Sequence, residues 1–194
     1  MPRDCDRFST PAIILHWLVA GLMIYNLYLG LTYEDATGLA KFTLLQTHKS
    51  IGFTVLGLSI LRLGFRLLGG HPPAYPDGMK PWEKVVASAT HWGFYFMMLA
   101  LPLTGWIIVS ASPTNIPTLL YKTVPFPHIG VVHDLPMATR RTLEDGTAEV
   151  HEILAFITIA MIVLHVAAAL KHHFVNKDGV LYRMAPFLRL GGRA

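Results

Sequence analysis

The sequence is poor in cysteine and in charge, and both shortages narrow what the protein can be. Cys5 is the single cysteine among 194 residues, so the chain can form no internal disulfide and no cysteine-ligated zinc or iron–sulfur site. Charged residues make up 14% of the chain, against about 25% in soluble domains. Hydrophobic residues reach 53%, and the mean hydropathy is +0.45. This composition favours an integral membrane protein.

The net charge of +4 does not indicate a nucleic-acid partner. The sixteen Lys and Arg residues are scattered along the chain, whereas nucleic-acid binding needs them clustered on one face. We attribute the excess to the basic side of a membrane protein and expect no nucleic acid among the partners. Residues 1–17 carry acidic residues ahead of the apolar run, with no small-residue cleavage site after it. They predict a retained first span and not a signal peptide.

Four apolar segments are long enough to cross a bilayer, which takes about 20 helical residues. The predicted spans cover residues 11–33, 44–68, 82–110 and 147–174. Stretches containing Pro and Gly beyond residues 68 and 110 are predicted loops, and Pro102 is expected to kink the third span. The predicted fold class is all-α, with residues 1–194 forming a single integral membrane four-helix bundle.

The distribution of Lys and Arg predicts the orientation, because cytoplasmic segments are enriched in both. With both termini inside, eleven of the sixteen fall on the inner side and five on the outer. The inner set is Arg3, Arg7, Arg62, Arg66, Lys80, Lys84, Lys171, Lys177, Arg183, Arg189 and Arg193, and the outer set is Lys41, Lys49, Lys122, Arg140 and Arg141. This asymmetry predicts a multi-pass protein with cytoplasmic termini and residues 111–146 outside.

Four histidines match in depth across the predicted bundle, in two pairs. His151 and His165 lie 14 residues apart on one span, which separates them by about 21 Å on the same helix face. One metal ion cannot bind both. Since consecutive spans run in opposite directions, His48 lies near the outer end with His151, and His16 lies near the inner end with His165. The pattern predicts two bis-histidine sites stacked across one bundle.

Two facing histidines favour haem iron, whose porphyrin supplies four further nitrogens, over zinc, which wants four ligands of its own. Without a CxxCH motif, the expected cofactors are two non-covalent b-type haems. Their predicted ligands are His16, His48, His151 and His165. His91 competes with His16 at a similar inner depth, although the spacing favours His16. For any single histidine, a hydrogen bond between helices or a proton relay is the alternative.

Small and basic residues near these histidines suggest how haem is accommodated. Room for a flat macrocycle is expected beside Gly21, Gly52, Gly57 and Ala167 to Ala169, with close helix packing as the alternative. Propionate partners are expected among Arg62, Arg66 and Lys171 inside and Lys49 outside. The alternative for each of these cations is the inner-side bias alone.

Four stretches of the sequence resemble the bacterial cytochrome b561 family, which is related to the cytochrome b subunits of nickel–iron hydrogenases. They are STPAIILHWLVA, THKSIGFTVLGLSILRLGFRL, HWGFYFMMLALPLTGW and EVHEILAFITIAMIVLHVAAALKHHFVNKDGVLYRM. The resemblance runs from residue 8 to residue 184 and implies a four-helix membrane cytochrome with two b haems. The family's axial histidines correspond to His16, His48, His151 and His165, so the resemblance favours His16 over His91.

The chain is similar in length to one subgroup of that family, the superoxide oxidases. This similarity implies a bacterial inner membrane enzyme that takes electrons from periplasmic superoxide and passes them through both haems to ubiquinone near the inner haem. The expected neighbours of the quinone are His91, Trp17, His172 and His173, although the last two also suit a helix C-terminus. Candidates for attracting the anion are Lys49, Lys122, Arg140 and Arg141.

Two other functions compete with superoxide oxidation. The first is a haem-bearing electron-transfer subunit that serves a partner dehydrogenase or c-type cytochrome and has no substrate chemistry of its own. The second is a transporter or channel that uses the histidines as a proton relay, which predicts a colourless protein. A visible spectrum separates both haem proteins from the transporter.

Overall fold

Four long helices dominate the computed structural model, which describes residues 7–68, 73–76 and 78–186. They are α1 (Thr10–Thr32), α2 (Gly38–Leu67), α3 (Pro81–Ala111) and α5 (Met137–Lys171), which continues as a π-helical turn over His172–Asn176. All four have the length and hydropathy needed to cross a membrane. The predicted all-α membrane four-helix architecture is confirmed. Cys5, Arg3, Arg189 and Arg193 lie outside the described residues.

Prolines help to define where the helices begin. Pro11 lies in the first turn of α1, after the N-cap Ser9, and Pro81 begins α3. Proline suits this position because its missing N–H would have no helical partner there. In the same first turn of α3, the Glu83 carboxylate accepts a hydrogen bond from the Lys80 backbone N–H at 3.1 Å. Helix α3 then continues through Pro102 to Ala111 without a break.

Two helices begin well before the predicted spans. Helix α2 begins at residue 38 instead of 44, and α5 begins at residue 137 instead of 147. The added turns, GLAKFT and MATRRTLEDG, are too polar for the bilayer core, so hydropathy alone did not include them. They extend the two helices beyond the apolar segment at the end of the bundle where α1 ends and α5 begins.

The segment between α3 and α5 is ordered structure, although it was predicted as a loop. It contains a two-stranded antiparallel hairpin, β1 (Thr118–Leu120) and β2 (Val124–Phe126), and a single turn of helix, α4 (Gly130–His133). We call the end of the bundle that carries them the hairpin end. The opposite end, where α1 and α3 begin and α2 and α5 finish, is the terminal end.

Buried polar side chains of α2 hold the hairpin in place. The Gln46 amide donates to the Pro117 carbonyl at 2.9 Å and accepts from the Leu119 N–H at 3.1 Å, so it pairs with β1 like a neighbouring strand. One turn later, the Ser50 hydroxyl accepts from the Tyr121 N–H at 2.9 Å. Gln46 and Ser50 are 2% and 1% exposed, so the hairpin supplies the partners that these buried groups need.

Aromatic rings and one buried arginine also fix the segment between α3 and α5, residues 112–136, which we call the cover. The centre of the Phe53 ring lies 4.0 Å from the centre of the Phe126 ring and 5.6 Å from that of the Trp106 ring. These contacts join α2, α3 and the hairpin. Arg140, 5% exposed, donates to the carbonyl oxygens of Ala111 and Ser112 at the end of α3. These C-terminal carbonyls have no partner within their own helix. Arg140 is therefore not an exposed steering cation, contrary to the expectation.

Replacing Gln46 by leucine tests whether the hairpin depends on this amide. The variant removes the side-chain partner of the Pro117 carbonyl and of the Leu119 N–H, and we expect the loss of these two hydrogen bonds to cost about 1–3 kcal/mol of unfolding free energy. Hydrogen exchange at Leu119 should accelerate. Thr47→Ala is the control, since the Thr47 hydroxyl donates to the Thr43 carbonyl of its own helix, and it should leave that exchange unchanged. Unaltered exchange in Gln46→Leu would show that the Gln46 amide does not hold the hairpin in place.

The cover also contains a histidine pair that makes it sensitive to acid. The rings of His128 and His133 stack at 4.9 Å with an interplanar angle of 17°. Burial lowers the pKa of His128 below its usual 6.5, and the charges of His133, Lys49 and Arg140 lower it further. The opened cover therefore binds a proton more readily than the closed one, so stability is lost as the pH falls through about 6.5.

We expect hydrogen exchange in residues 118–133 to be faster at about pH 5.5 than at about pH 7.5, after correction for the intrinsic pH dependence of exchange. His128→Gln cannot be protonated and should lose most of this difference. His173→Gln, at the terminal end, should keep it. An equal pH effect in wild type and His128→Gln would rule out this histidine as the cause.

Candidate functional site

A cleft between α5 and the first two helices contains the predicted site. Helix α5 packs along α3, and α1 and α3 both pack on α2, whereas the described part of α5 makes little backbone contact with α1 or α2. Gly93 allows the close approach of α5 to α3, since a Cβ there would lie 2.9 Å from Met161 Cε. The histidines of α5 can therefore face those of α1 and α2 across the cleft.

The structure brings the four predicted histidines together in the two expected pairs. At the hairpin end, the ring centres of His48 and His151 are 6.2 Å apart. At the terminal end, those of His16 and His165 are 6.4 Å apart. All four rings are half-buried. Each pair therefore lies at one end of the bundle, with one ring from α5 and one from the neighbouring helix.

The pair at the hairpin end is oriented by two hydrogen-bond acceptors. His48 Nδ1 lies 3.0 Å from the Asn26 carbonyl oxygen, which can only accept, so this nitrogen carries the proton. His151 Nδ1 lies 2.9 Å from Thr104 Oγ1, whose own hydrogen is directed to the Ala100 carbonyl at 2.9 Å. Both rings thus keep Nε2 available. Histidines that bind a metal through one nitrogen typically donate the other to an oxygen in this way.

The pair at the terminal end has a different partner. Arg62 Nη2 lies 2.9 Å from His16 Nδ1, and a guanidinium can only donate, so here the imidazole nitrogen accepts. A third ring is also close, because the His91 centre lies 6.0 Å from that of His165. His91 is exposed, whereas His16 and His165 are half-buried. Distance alone therefore does not decide whether His16 or His91 is the partner of His165.

Both ring separations fit the axial positions of a haem. Two imidazoles bonded to one metal ion at about 2.0 Å place their ring centres roughly 6.3 Å apart. The described residues contain no group of three or more His, Cys, Asp or Glu side chains that could hold a metal ion. A pair of histidines therefore suits a metal whose other ligands come from a macrocycle.

Glycines lie against the rings at the hairpin end. A Cβ built at Gly30 would lie 3.2 Å from His48 Cε1, and one at Gly105 would lie 3.5 Å from His151 Cε1. A side chain at Gly30 would crowd the His48 imidazole, whereas a Cβ at Gly105 would make ordinary van der Waals contact with His151. Beside Gly21 and Gly57, where room for a macrocycle is expected, a Cβ would meet no atom within 4 Å.

An orphaned polar atom lies in the same region. Asn26 Oδ1 is buried without a hydrogen-bond partner, and Asn26 Nδ2 lies 3.5 Å from where a Gly52 Cβ would be. Buried polar atoms are nearly always paired in native proteins. This amide therefore has capacity for a further polar contact beside His48, and the donor set as a whole fits a b-type haem.

Several other predicted residues have structural partners at the terminal end. Lys171, expected near a propionate, forms an ion pair with Glu83 at 2.9 Å. His172 is buried, and its Nδ1 lies 2.5 Å from Asp178 Oδ2. Trp17 Nε1 donates to the Met184 carbonyl at 2.7 Å, which fixes the chain after α5 beside the start of α1. These contacts join the start of α3, the end of α5 and the chain after it to the start of α1.

Four residues of the site were absent from the sequence-based prediction. They are Asn26, Gly30, Thr104 and Gly105. Threonines and glycines are common in membrane helices, and a backbone carbonyl carries no residue-type signal, so spacing could not single them out. Thr104 and Gly105 both fall within the ALPLTGW stretch that carries the family resemblance, which was the hint available for them.

Comparisons with known proteins agree with this arrangement. A family model described as prokaryotic cytochrome b561 matches residues 7–187. Cytochrome b561 homolog 2 of Escherichia coli (strain K12) is 26% identical over 189 residues, which cover 92% of this chain and 91% of the relative. Cytochrome b561 homolog 1 of the same organism is 28% identical, covering 93% and 98%. The probable superoxide oxidase CybB of Yersinia pestis is 29% identical, covering 93% and 96%.

The family match extends over nearly the whole chain and includes all four apolar helices and both histidine pairs. It implies b-type haem, a role in electron transport and a place in the bacterial inner membrane. The donor set of the cleft fits that cofactor. The chain belongs to the prokaryotic cytochrome b561 family and is a transmembrane haem protein.

Proposed function

We propose that the protein carries electrons across the membrane through two b-type haems. His48 and His151 are the proposed ligands at the hairpin end, and His16 and His165 at the terminal end. The observation that carries the proposal is the presence of two imidazole pairs, 6.2 and 6.4 Å between ring centres, at opposite ends of one bundle. When bound, each haem supplies a one-electron Fe(III)/Fe(II) couple, and two axial histidines favour electron transfer over oxygen binding.

Two oxygen acceptors prepare the proposed ligands at the hairpin end for this role. The Asn26 carbonyl and the Thr104 hydroxyl fix the ring orientation of His48 and His151 and hold a proton on Nδ1, so that Nε2 faces away from them. The four helices that carry or flank these histidines are apolar enough to lie within a membrane. At the terminal end, burial supports His16 over the exposed His91 as the partner of His165.

The proposed orientation places the hairpin end in the periplasm and both termini in the cytoplasm, as the uneven distribution of Lys and Arg supports. The proposed electron donor at the hairpin end is superoxide. The name of the Yersinia pestis relative supports this choice. With Arg140 buried, the remaining basic groups that could attract an anion are the exposed Lys122 and Arg141 and the half-buried Lys49.

The proposed acceptor is ubiquinone, bound at the terminal end. Trp17 is next to His16 in sequence and is 45% exposed, so its ring is open to lipid-soluble molecules. His172 is held by Asp178 on the turn that follows α5. The protein would then act as a superoxide:ubiquinone oxidoreductase, in which two superoxide ions give two electrons and leave two molecules of O2, and one quinone takes both electrons with two protons.

Single alanine variants test the ligand assignment. His151→Ala and His165→Ala should each bind one haem fewer than the wild-type protein, because each removes one of two axial ligands from a single pair. His91→Ala is the matched control at the terminal end and should keep the full haem content. The measurement is haem per protein by pyridine haemochrome assay. Full haem content in both α5 variants, or loss of haem in His91→Ala, would contradict the assignment.

Rapid mixing tests the donor and acceptor. Superoxide should reduce the haems of the oxidised protein, and added ubiquinone should then reoxidise them, as followed by visible absorbance. The rate of the first step should fall as the ionic strength rises, because screening weakens the attraction of an anion to basic groups. Haems that superoxide does not reduce, but a c-type cytochrome or a dehydrogenase does, would favour the electron-transfer subunit.

A further inference from the structure

The two ends of the cleft present opposite electrostatic partners to the proposed ligands. At the hairpin end, Nδ1 of both His48 and His151 faces an oxygen that accepts its proton. At the terminal end, Nδ1 of His16 faces the guanidinium of Arg62. The proposed ligands are histidines at both ends. The different groups that face their Nδ1 atoms can therefore give the two haems different reduction potentials.

The acceptors at the hairpin end favour oxidised iron. An imidazole that donates its N–H to an oxygen is more basic and gives more electron density to the metal. The Asn26 carbonyl oxygen can only accept a hydrogen bond from His48. The Thr104 hydroxyl accepts from His151 because its own hydrogen is donated to the Ala100 carbonyl. Both ligands of this haem are therefore made stronger donors, and stronger donors lower the reduction potential.

The cation at the terminal end favours reduced iron. Arg62 keeps its charge at every accessible pH. It is half-buried, its Nη2 is 2.9 Å from His16 Nδ1, and its Cζ lies 5.7 Å from the centre of the Tyr95 ring, so the charge is held in place from two sides. Reduction removes one unit of positive charge from the iron, and a fixed cation close by stabilises that product. A partly buried charge is also less screened by salt than an exposed one.

We propose that Arg62 makes the haem at the terminal end the one of higher potential, so that electrons entering at the hairpin end flow downhill to the terminal end. Arg62 contacts His16 and not the iron, and it acts through its fixed positive charge, so it is a positioning and tuning residue. The inference rests on the proposed ligation of two haems. It adds the residue that sets the relative potentials of the two haems and so drives electrons in the proposed direction.

A competing effect of the same contact has the opposite sign. Arg62 has no acceptor, so it can keep its bond to His16 only while Nδ1 carries no proton. If the iron-bound His16 were held in that deprotonated form, it would be a much stronger electron donor and would lower the potential. Removing the arginine would then raise the potential, whereas our proposal requires that it fall.

The test compares Arg62→Gln with Arg62→Lys in the full-length, haem-loaded protein. Redox titration followed by visible absorbance gives both midpoint potentials, and the single-haem variant His151→Ala identifies the terminal-end haem. In Arg62→Gln, the ratio of reduced to oxidised terminal-end haem at a fixed potential should fall about tenfold, which is a shift of about 59 mV for one electron. Arg62→Lys keeps the charge and should keep most of the wild-type value.

Thr104→Val provides the reciprocal measurement at the hairpin end. It removes the acceptor of His151 without a change in charge, so the potential of the hairpin-end haem should rise and that of the terminal-end haem should stay unchanged. Both variants leave the four proposed ligands intact, and their haem content confirms that they are folded.

Three results would overturn the inference: a rise or no change in the terminal-end potential of Arg62→Gln, an equal fall in Arg62→Lys, or a wild-type hairpin-end haem that already has the higher potential. With two haems bound, any of them refutes the role of Arg62 and leaves the proposed function standing. A wild-type protein that binds fewer than two haems refutes both.

Discussion

A rigid helix cannot bring two of its own residues together when they are 14 positions apart, and the rest of the site depends on that constraint. His151 and His165 lie about 21 Å apart on one face of α5, so each needs a partner at its own depth. Helices α1 and α2 run in opposite directions and supply these partners. Because the rings must face each other across a cleft, α5 packs on α3 and leaves its histidine face directed at the first two helices.

The hairpin end is closed by polar chemistry that would be costly in lipid. Gln46 and Ser50 point away from water on a membrane helix, and unpaired they would destabilise it. The backbone of the hairpin satisfies both, and Arg140 does the same for the last carbonyls of α3. The segment between α3 and α5 is thus fixed at the hairpin end by groups that already required partners. A donor approaching this end meets an ordered surface.

Much of the fold could be predicted from the sequence, because helical rise and hydropathy are properties of a single segment. The four spans and the pairing of histidines by depth follow from them directly. The polar first turns of α5, the hairpin and the burial of Arg140 could not be predicted, since each depends on tertiary hydrogen bonds. The same limit applies to Thr104 and to the Asn26 carbonyl, whose roles arise only when helices dock at a particular rotation.

Two histidine pairs of the same kind can move electrons in one direction only if the groups around the two pairs differ. Four histidines in two equivalent pairs impose no preference on an electron. A preference requires that the surroundings of the pairs differ, and at these two sites they differ in the groups on Nδ1: oxygen acceptors at the hairpin end and a guanidinium at the terminal end. Arg62 also belongs to the basic set that predicts the cytoplasmic side. In the proposed orientation, the inner excess of positive charge would therefore also favour reduction of the haem proposed at that side, which would couple topology to the direction of electron flow.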